Sequence, residues 1–100
     1  MKEYGLEPFV LEDIRKVLRR FPEVLSASLY GSRAKGTFKE TSDIDIAVHA
    51  PKMTNQEFAR LCFEIDELSL VFKIDVVLFE NIKNDDLLAK IKREEKFFLS

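Results

Sequence analysis

Apolar residues recur along this chain with two different periods, and the switches between them mark out its elements. From Pro8, a favourable first helical residue, Phe9, Val10, Leu11, Ile14, Val17, Leu18 and Phe21 repeat at helical spacing, and Pro22 ends the run. Val24 to Tyr30 then changes to alternation, with Leu25, Ala27 and Leu29 on one side, and predicts a strand with one buried face. Gly31 to Ser42 is polar and holds two of the three glycines, which predicts a loop or a short helix within one. Asp43 to Val48 alternates again through Ile44, Ile46 and Val48. Thr54 and Glu57 form a capping-box pattern ahead of a helical stripe of Phe58, Leu61, Cys62, Ile65 and Leu68. Lys73 to Phe79 reads as a third strand. Asn84, with Asp85 and Asp86 behind it, caps a last helix whose apolar side is Leu87, Leu88, Ile91 and the terminal Phe97, Phe98 and Leu99. The expected order is helix, strand, loop, strand, helix, strand, helix. This is a small mixed α/β (α+β) sheet with helices mainly on one face.

Composition narrows the class. One hundred residues allow a single domain, 1–100, and 46% hydrophobic with 34% charged residues excludes a disordered or repetitive chain. The net charge of −2 offers no bulk field for nucleic acid, which is not expected as the main partner. The single cysteine, Cys62, allows no internal disulfide and suits a reducing, cytoplasmic setting. The charged opening stretch is unlike a signal peptide, and no apolar run is long enough for a membrane span.

Three carboxylates stand apart from the rest. Asp43, Asp45 and Asp75 lie in strand patterns that are otherwise apolar. Asp43 and Asp45 share a face, with Cα atoms about 6.5 Å apart. A helical crossover to the third strand predicts parallel pairing, so both strands start at one end of the sheet. Parity then puts Asp75 on the same face as the other two. Any one of these residues alone is better read as a strand cap or an exposed sheet position. Three together repel one another and call for a cation. Hard oxygen donors point to Mg²⁺, and a pair of such ions suits in-line displacement at phosphorus.

Gly31-Ser-Arg-Ala-Lys-Gly36 follows the first strand directly. If that strand runs antiparallel to the second, the loop abuts Asp43. Gly31 permits a close turn, Ser32 and nearby amides can bond phosphate oxygens, and Arg33 and Lys35 supply positive charge. The glycine spacing matches a Walker A loop, but Thr37-Phe38 stands where Lys-Ser/Thr is needed. A phosphatase with an Asp nucleophile is also disfavoured, because its aspartate pair follows a hydrophobic strand and this one precedes it.

Taken together, Leu29 to Gly36, Ser42 to Val48 and Ile74 to Val77 resemble the minimal nucleotidyltransferases of the DNA polymerase beta superfamily. The resemblance implies that fold, with Gly31 and Ser32 holding a nucleoside triphosphate and Arg33 assisting. It implies that Asp43 and Asp45 bind two Mg²⁺ ions, while Asp75 binds the catalytic ion and helps activate the attacking hydroxyl. NMP would pass to an acceptor and pyrophosphate would leave. Larger relatives add a helical acceptor-binding domain, whereas only one helix is expected after the third strand here. In the minimal subfamily the acceptor side is a separate HEPN-domain protein, often in an antitoxin–toxin pair. The resemblance therefore implies a hetero-oligomer and AMP transfer from ATP to a tyrosine of that partner. Two alternatives stand beside it: a non-catalytic subunit that neutralises a HEPN partner by contact, and a nucleotidyltransferase with a small-molecule acceptor.

Other residues have plainer readings. His49 shares parity with Asp45 but lies about 13 Å along the strand, so a structural or surface role is expected. Cys62 falls on an apolar stripe and Tyr30 is expected to pack. Arg15, Lys16, Arg19 and Arg20 read as a solvated helix face. Phe97 to Leu99 either close the core or make a subunit contact.

Overall fold

The computed structural model describes residues 2–100. Pro8–Arg19 forms α1, Ser26–Tyr30 β1, Ser32–Lys35 the short α2, and Ile44–His49 β2. Asn55–Asp66 is α3, Ile74–Leu78 β3, Asp85–Glu94 α4 and Lys96–Leu99 β4, with a single 3-10 turn at Phe79–Asn81. The four strands lie in the order β3-β2-β1-β4. β1 is antiparallel to both neighbours, and β2 runs parallel to β3 across the α3 crossover, as expected.

The three longer helices begin where the sequence signals them. Pro8 starts α1. The Thr54 hydroxyl accepts from Glu57 N while the Glu57 carboxylate accepts from Thr54 N, which closes the capping box of α3. The Asn84 side chain accepts from the amides of Asp86 and Leu87. These bonds satisfy donors that helix geometry would otherwise leave without partners.

The sheet separates two apolar layers. Val10, Leu11, Ile14, Val17 and Leu18 of α1 and Leu61 and Ile65 of α3 pack on Ala27, Leu29, Ile44, Ile46 and Val48 to form the main core. On the opposite face Ile91 and Leu87 of α4 cover Tyr30, Ala47 and Val77. That second layer is small, and its Tyr30 pairs in register with Asp45 near the start of β2.

Two expectations are corrected. Phe97, Phe98 and Leu99 do not extend the last helix: the chain leaves α4 at Glu95 in extended conformation and returns as β4 on the free edge of β1. Without β4 that edge would carry unpaired backbone groups. Phe98 turns into the main core and its carbonyl accepts from Arg15 Nε at 2.6 Å. Leu25 lies before β1 and is 63% exposed, and β1 is buried on both faces from Ala27 to Tyr30 rather than on one, because Tyr30 packs in the layer under α4.

Candidate active site

The three aspartates come to one end of the sheet by strand register. Asp45 pairs with Tyr30 on one side and with Asp75 on the other, so these three residues form a row across β1, β2 and β3. Asp43 stands exposed just before β2, two residues from Asp45 and of the same parity. Asp75 Oδ1 lies 4.0 Å from Lys73 Nζ.

The electrostatics of the row follow from this placement. The Asp45 carboxyl is held above its ordinary range, first by burial and then by the charges of Asp75 and Asp43, with Glu94 adding to the effect and Lys90 opposing it. Tyr30, buried beside Asp45, has its hydroxyl pushed up to about 12, by burial first and then by Asp45 and Asp75. Each shift has the sign expected of negative charge crowded into a partly desolvated place.

The glycine turn closes over the same row. Gly31 has φ 79° and ψ −158°, a region that only glycine enters readily. A Cβ on Gly31 would run into Asp45 Oδ2. The turn and the carboxylate thus stand in direct contact, and any larger residue would displace one of them. Ser32 follows, half-buried at the start of α2.

Arg33 does something the sequence did not indicate. Its side chain points beneath the turn and the residue is 1% exposed. Nε and Nη2 donate to Ser42 O at 3.1 and 3.0 Å, Nη2 also to Glu40 O at 3.1 Å, and Nη1 to Tyr4 O at 2.9 Å. The guanidinium lies against the rings of Phe38 and Phe72, 5.3 and 5.0 Å from their centroids. It therefore braces the loop that delivers Asp43, and most of its donors are already engaged. Long-range bonds to backbone carbonyls leave no sequence signature.

Glu94 was also missed. It closes α4, is 8% exposed, and accepts from Gly31 N at 2.9 Å. Its one sequence signal is its position a turn beyond Ile91, on the buried side of an otherwise charged helix end. Lys35 lies 3.8 Å from it. His49 is far from the row: its ring stacks on Phe79 at 4.4 Å and on Phe97 at 5.6 Å, with Nε2 3.5 Å from Glu95. Arg15, Arg19 and Arg20 are paired with Glu12 or Glu64, so the basic helix face is partly neutralised.

Carboxylate oxygens are donors for a hard divalent cation, and a cation there would relieve the repulsion at Asp45. Among the described residues no group of three or more His, Cys, Asp or Glu side chains is arranged to hold an ion by itself. The donor set fits an ion of the Mg²⁺ kind, which takes one or two carboxylates and completes its shell with water and phosphate oxygens. Among the described residues no helix is long and apolar enough to cross a membrane.

A family model described as polymerase beta, nucleotidyltransferase matches residues 12–100. Among solved structures, a toxin–antitoxin complex with AMP-PNP is 28% identical, with a TM-score of 0.70 over 86% of this chain and 69% of that one. A mutant of the MntA–HpeT toxin–antitoxin is 28% identical with a TM-score of 0.70, covering 88% of this chain and 70% of the other. The MntA–HepT toxin–antitoxin, at 24% identity and a TM-score of 0.67 over 91% and 70% of the two chains, shares the fold. No curated protein matches the sequence. The family match spans both the aspartate row and the glycine turn, and the chain belongs to the polymerase beta nucleotidyltransferase family.

Proposed function

We propose that this chain transfers a nucleoside monophosphate, AMP from ATP, to a tyrosine hydroxyl of a helical HEPN-domain toxin, and so acts as its antitoxin in the cytoplasm. The observation that carries the reading is the register of Asp45 with Asp75, with Gly31 packed against Asp45. The likeness at 28% identity to a toxin–antitoxin complex with AMP-PNP supports the adenine nucleotide and the partner. The chain and its toxin form a hetero-oligomer in which the partner supplies the acceptor.

In this mechanism Gly31 and Ser32 hold the triphosphate through the turn backbone and the Ser32 hydroxyl. Asp43 and Asp45 would hold two Mg²⁺ ions, and Asp75 would join them in holding the catalytic one. When bound, Mg²⁺ neutralises the carboxylates and stabilises both the attacking and the leaving oxygens. Asp75 orients the acceptor hydroxyl and takes its proton. The hydroxyl oxygen bonds to the α-phosphorus, the bond from that phosphorus to the bridging oxygen breaks, and pyrophosphate leaves. Arg33 acts from below by keeping the Asp43 loop in place.

The test uses ATP labelled in either the α- or the γ-phosphate, incubated with Mg²⁺, the chain and its cognate toxin. Label from the α position should appear on a toxin tyrosine, and label from the γ position only in pyrophosphate. Toxin neutralised without any label would reduce the chain to a contact inhibitor. Label on a small molecule instead would replace the acceptor.

A further inference from the structure

We infer that Glu94 is a positioning residue whose buried carboxylate fixes the Tyr30–Gly31 peptide and thereby sets the affinity of the phosphate-holding turn for a nucleotide. The inference rests on the reading of that turn as a nucleotide site. Carboxylates are seldom this buried without partners, and the partners of Glu94 are specific. Oε1 takes the Gly31 amide at 2.9 Å, and Oε2 lies 3.8 Å from Lys35 Nζ and 3.9 Å from Arg93 Nη2. One side chain thus bonds the Gly31 end of the short segment from Gly31 to Lys35 and pairs by charge with its other end.

The backbone at Gly31 gives that grip its consequence. Glycine is the residue least held by its own sterics, and the φ 79°, ψ −158° conformation needs an outside restraint to persist. The bond to Glu94 engages the Gly31 amide, so Gly31 serves the turn through its backbone shape, and phosphate oxygens would meet Ser32 and the amides that follow. The restraint comes from a well-anchored element. Ser28 Oγ donates to Glu95 Oε1 at 3.3 Å, and β4 pairs along β1 directly after it. Glu94 has its carboxylate oxygens engaged by Gly31, Lys35 and Arg93. Its charge adds to the acidic cluster, so its contribution is geometric.

Two readouts separate this role from plain stability: calorimetric affinity for AMP-PNP with Mg²⁺, and hydrogen exchange at the Gly31 amide. Glu94→Gln keeps the acceptor oxygen and should keep both the protection and an affinity within about threefold of wild type, because the bond is retained. Glu94→Ala should lose the protection and weaken AMP-PNP binding by roughly tenfold or more. Glu94→Asp, with its shorter reach, should fall with Ala although it keeps the charge, and it replaces Ala if that variant fails to fold. Wild-type affinity in Glu94→Ala or Glu94→Asp overturns the inference. So does loss of affinity in Glu94→Gln while Gly31 stays protected. A wild-type chain that binds no AMP-PNP overturns the nucleotide reading instead, and exchange at Gly31 still reports whether Glu94 holds the peptide.

Discussion

Asp45 shows how a single residue can be costly to the fold and useful to the site. Its carboxyl is held above the ordinary range, so the folded chain keeps that proton longer than the unfolded chain does. Stability contributed by the protonated form is therefore lost as pH rises through the raised value, and the ionised group burdens the ion-free protein at neutral pH. Asp45→Asn is expected to raise the melting temperature of the ion-free chain and to lower nucleotidyl transfer by on the order of a hundredfold or more. Parallel thermal melts and transfer assays check this, and a lowered melting temperature would contradict it. Tyr30 gives the alkaline counterpart. With its hydroxyl at about 12, the folded state resists ionisation, and stability falls as pH climbs from the ordinary tyrosine value of about 10 toward it. Near-ultraviolet titration should show a late tyrosinate phase that Tyr30→Phe removes.

Gly31 and Arg33 make the same point through geometry. Gly31→Ala drives a methyl group into the Asp45 carboxylate at a positive φ, and should cost about 1–3 kcal/mol of stability together with most of the activity. Arg33→Lys replaces a planar fork by a single ammonium group and strands carbonyls of Tyr4, Glu40 or Ser42. A loss on the order of 2–3 kcal/mol is expected by denaturant unfolding. A neutral Arg33→Lys would mean that the brace is not needed.

At the scale of elements, what was legible depended on whether a local signal existed. Pro8, the Thr54–Glu57 box and Asn84 each mark a helix start chemically, and alternation through Ile44, Ile46 and Val48 fixes which side of β2 is buried. The register of Asp45 with Asp75 then follows from parity and a right-handed crossover. β4 had no such signal. No glycine or proline separates Glu94 from Lys96, and Phe97 to Leu99 continue an apolar helical stripe, so the break at Glu95 is made by the open edge of β1 rather than by local preference. Removal of residues 96–100 should therefore lower the melting temperature well beyond the effect of trimming a frayed helix end. It reopens the β1 edge and deprives Arg15 of the Phe98 carbonyl. An unchanged melting temperature would show that β4 is not part of the folded unit.

The whole molecule divides its labour between the two faces of its sheet. One carries the main core under α1 and α3. The other carries α4 over Tyr30, Ala47 and Val77, with Gly31 set against Asp45, the partner of Tyr30 in the same row. The aspartates were legible because strand period and parity act over a few residues. The braces at Arg33 and Glu94 were not, because Glu94 lies 63 positions from the amide it holds and Arg33 bonds to carbonyls whose placement only the fold decides. The acceptor, by the proposal made above, lies on another chain.

In the proposed reaction Asp43, Asp45 and Asp75 form the centre of a nucleotidyl transfer to a partner protein. The most direct measurement is the intact mass of the cognate toxin after incubation with this chain and Mg-ATP, run beside the Asp43→Asn, Asp45→Asn double variant. A gain of one or more AMP units is expected with the wild type and no gain with the variant, while both still bind the toxin. An unmodified toxin that the wild type nevertheless neutralises, or a gain that survives the double substitution, would contradict it.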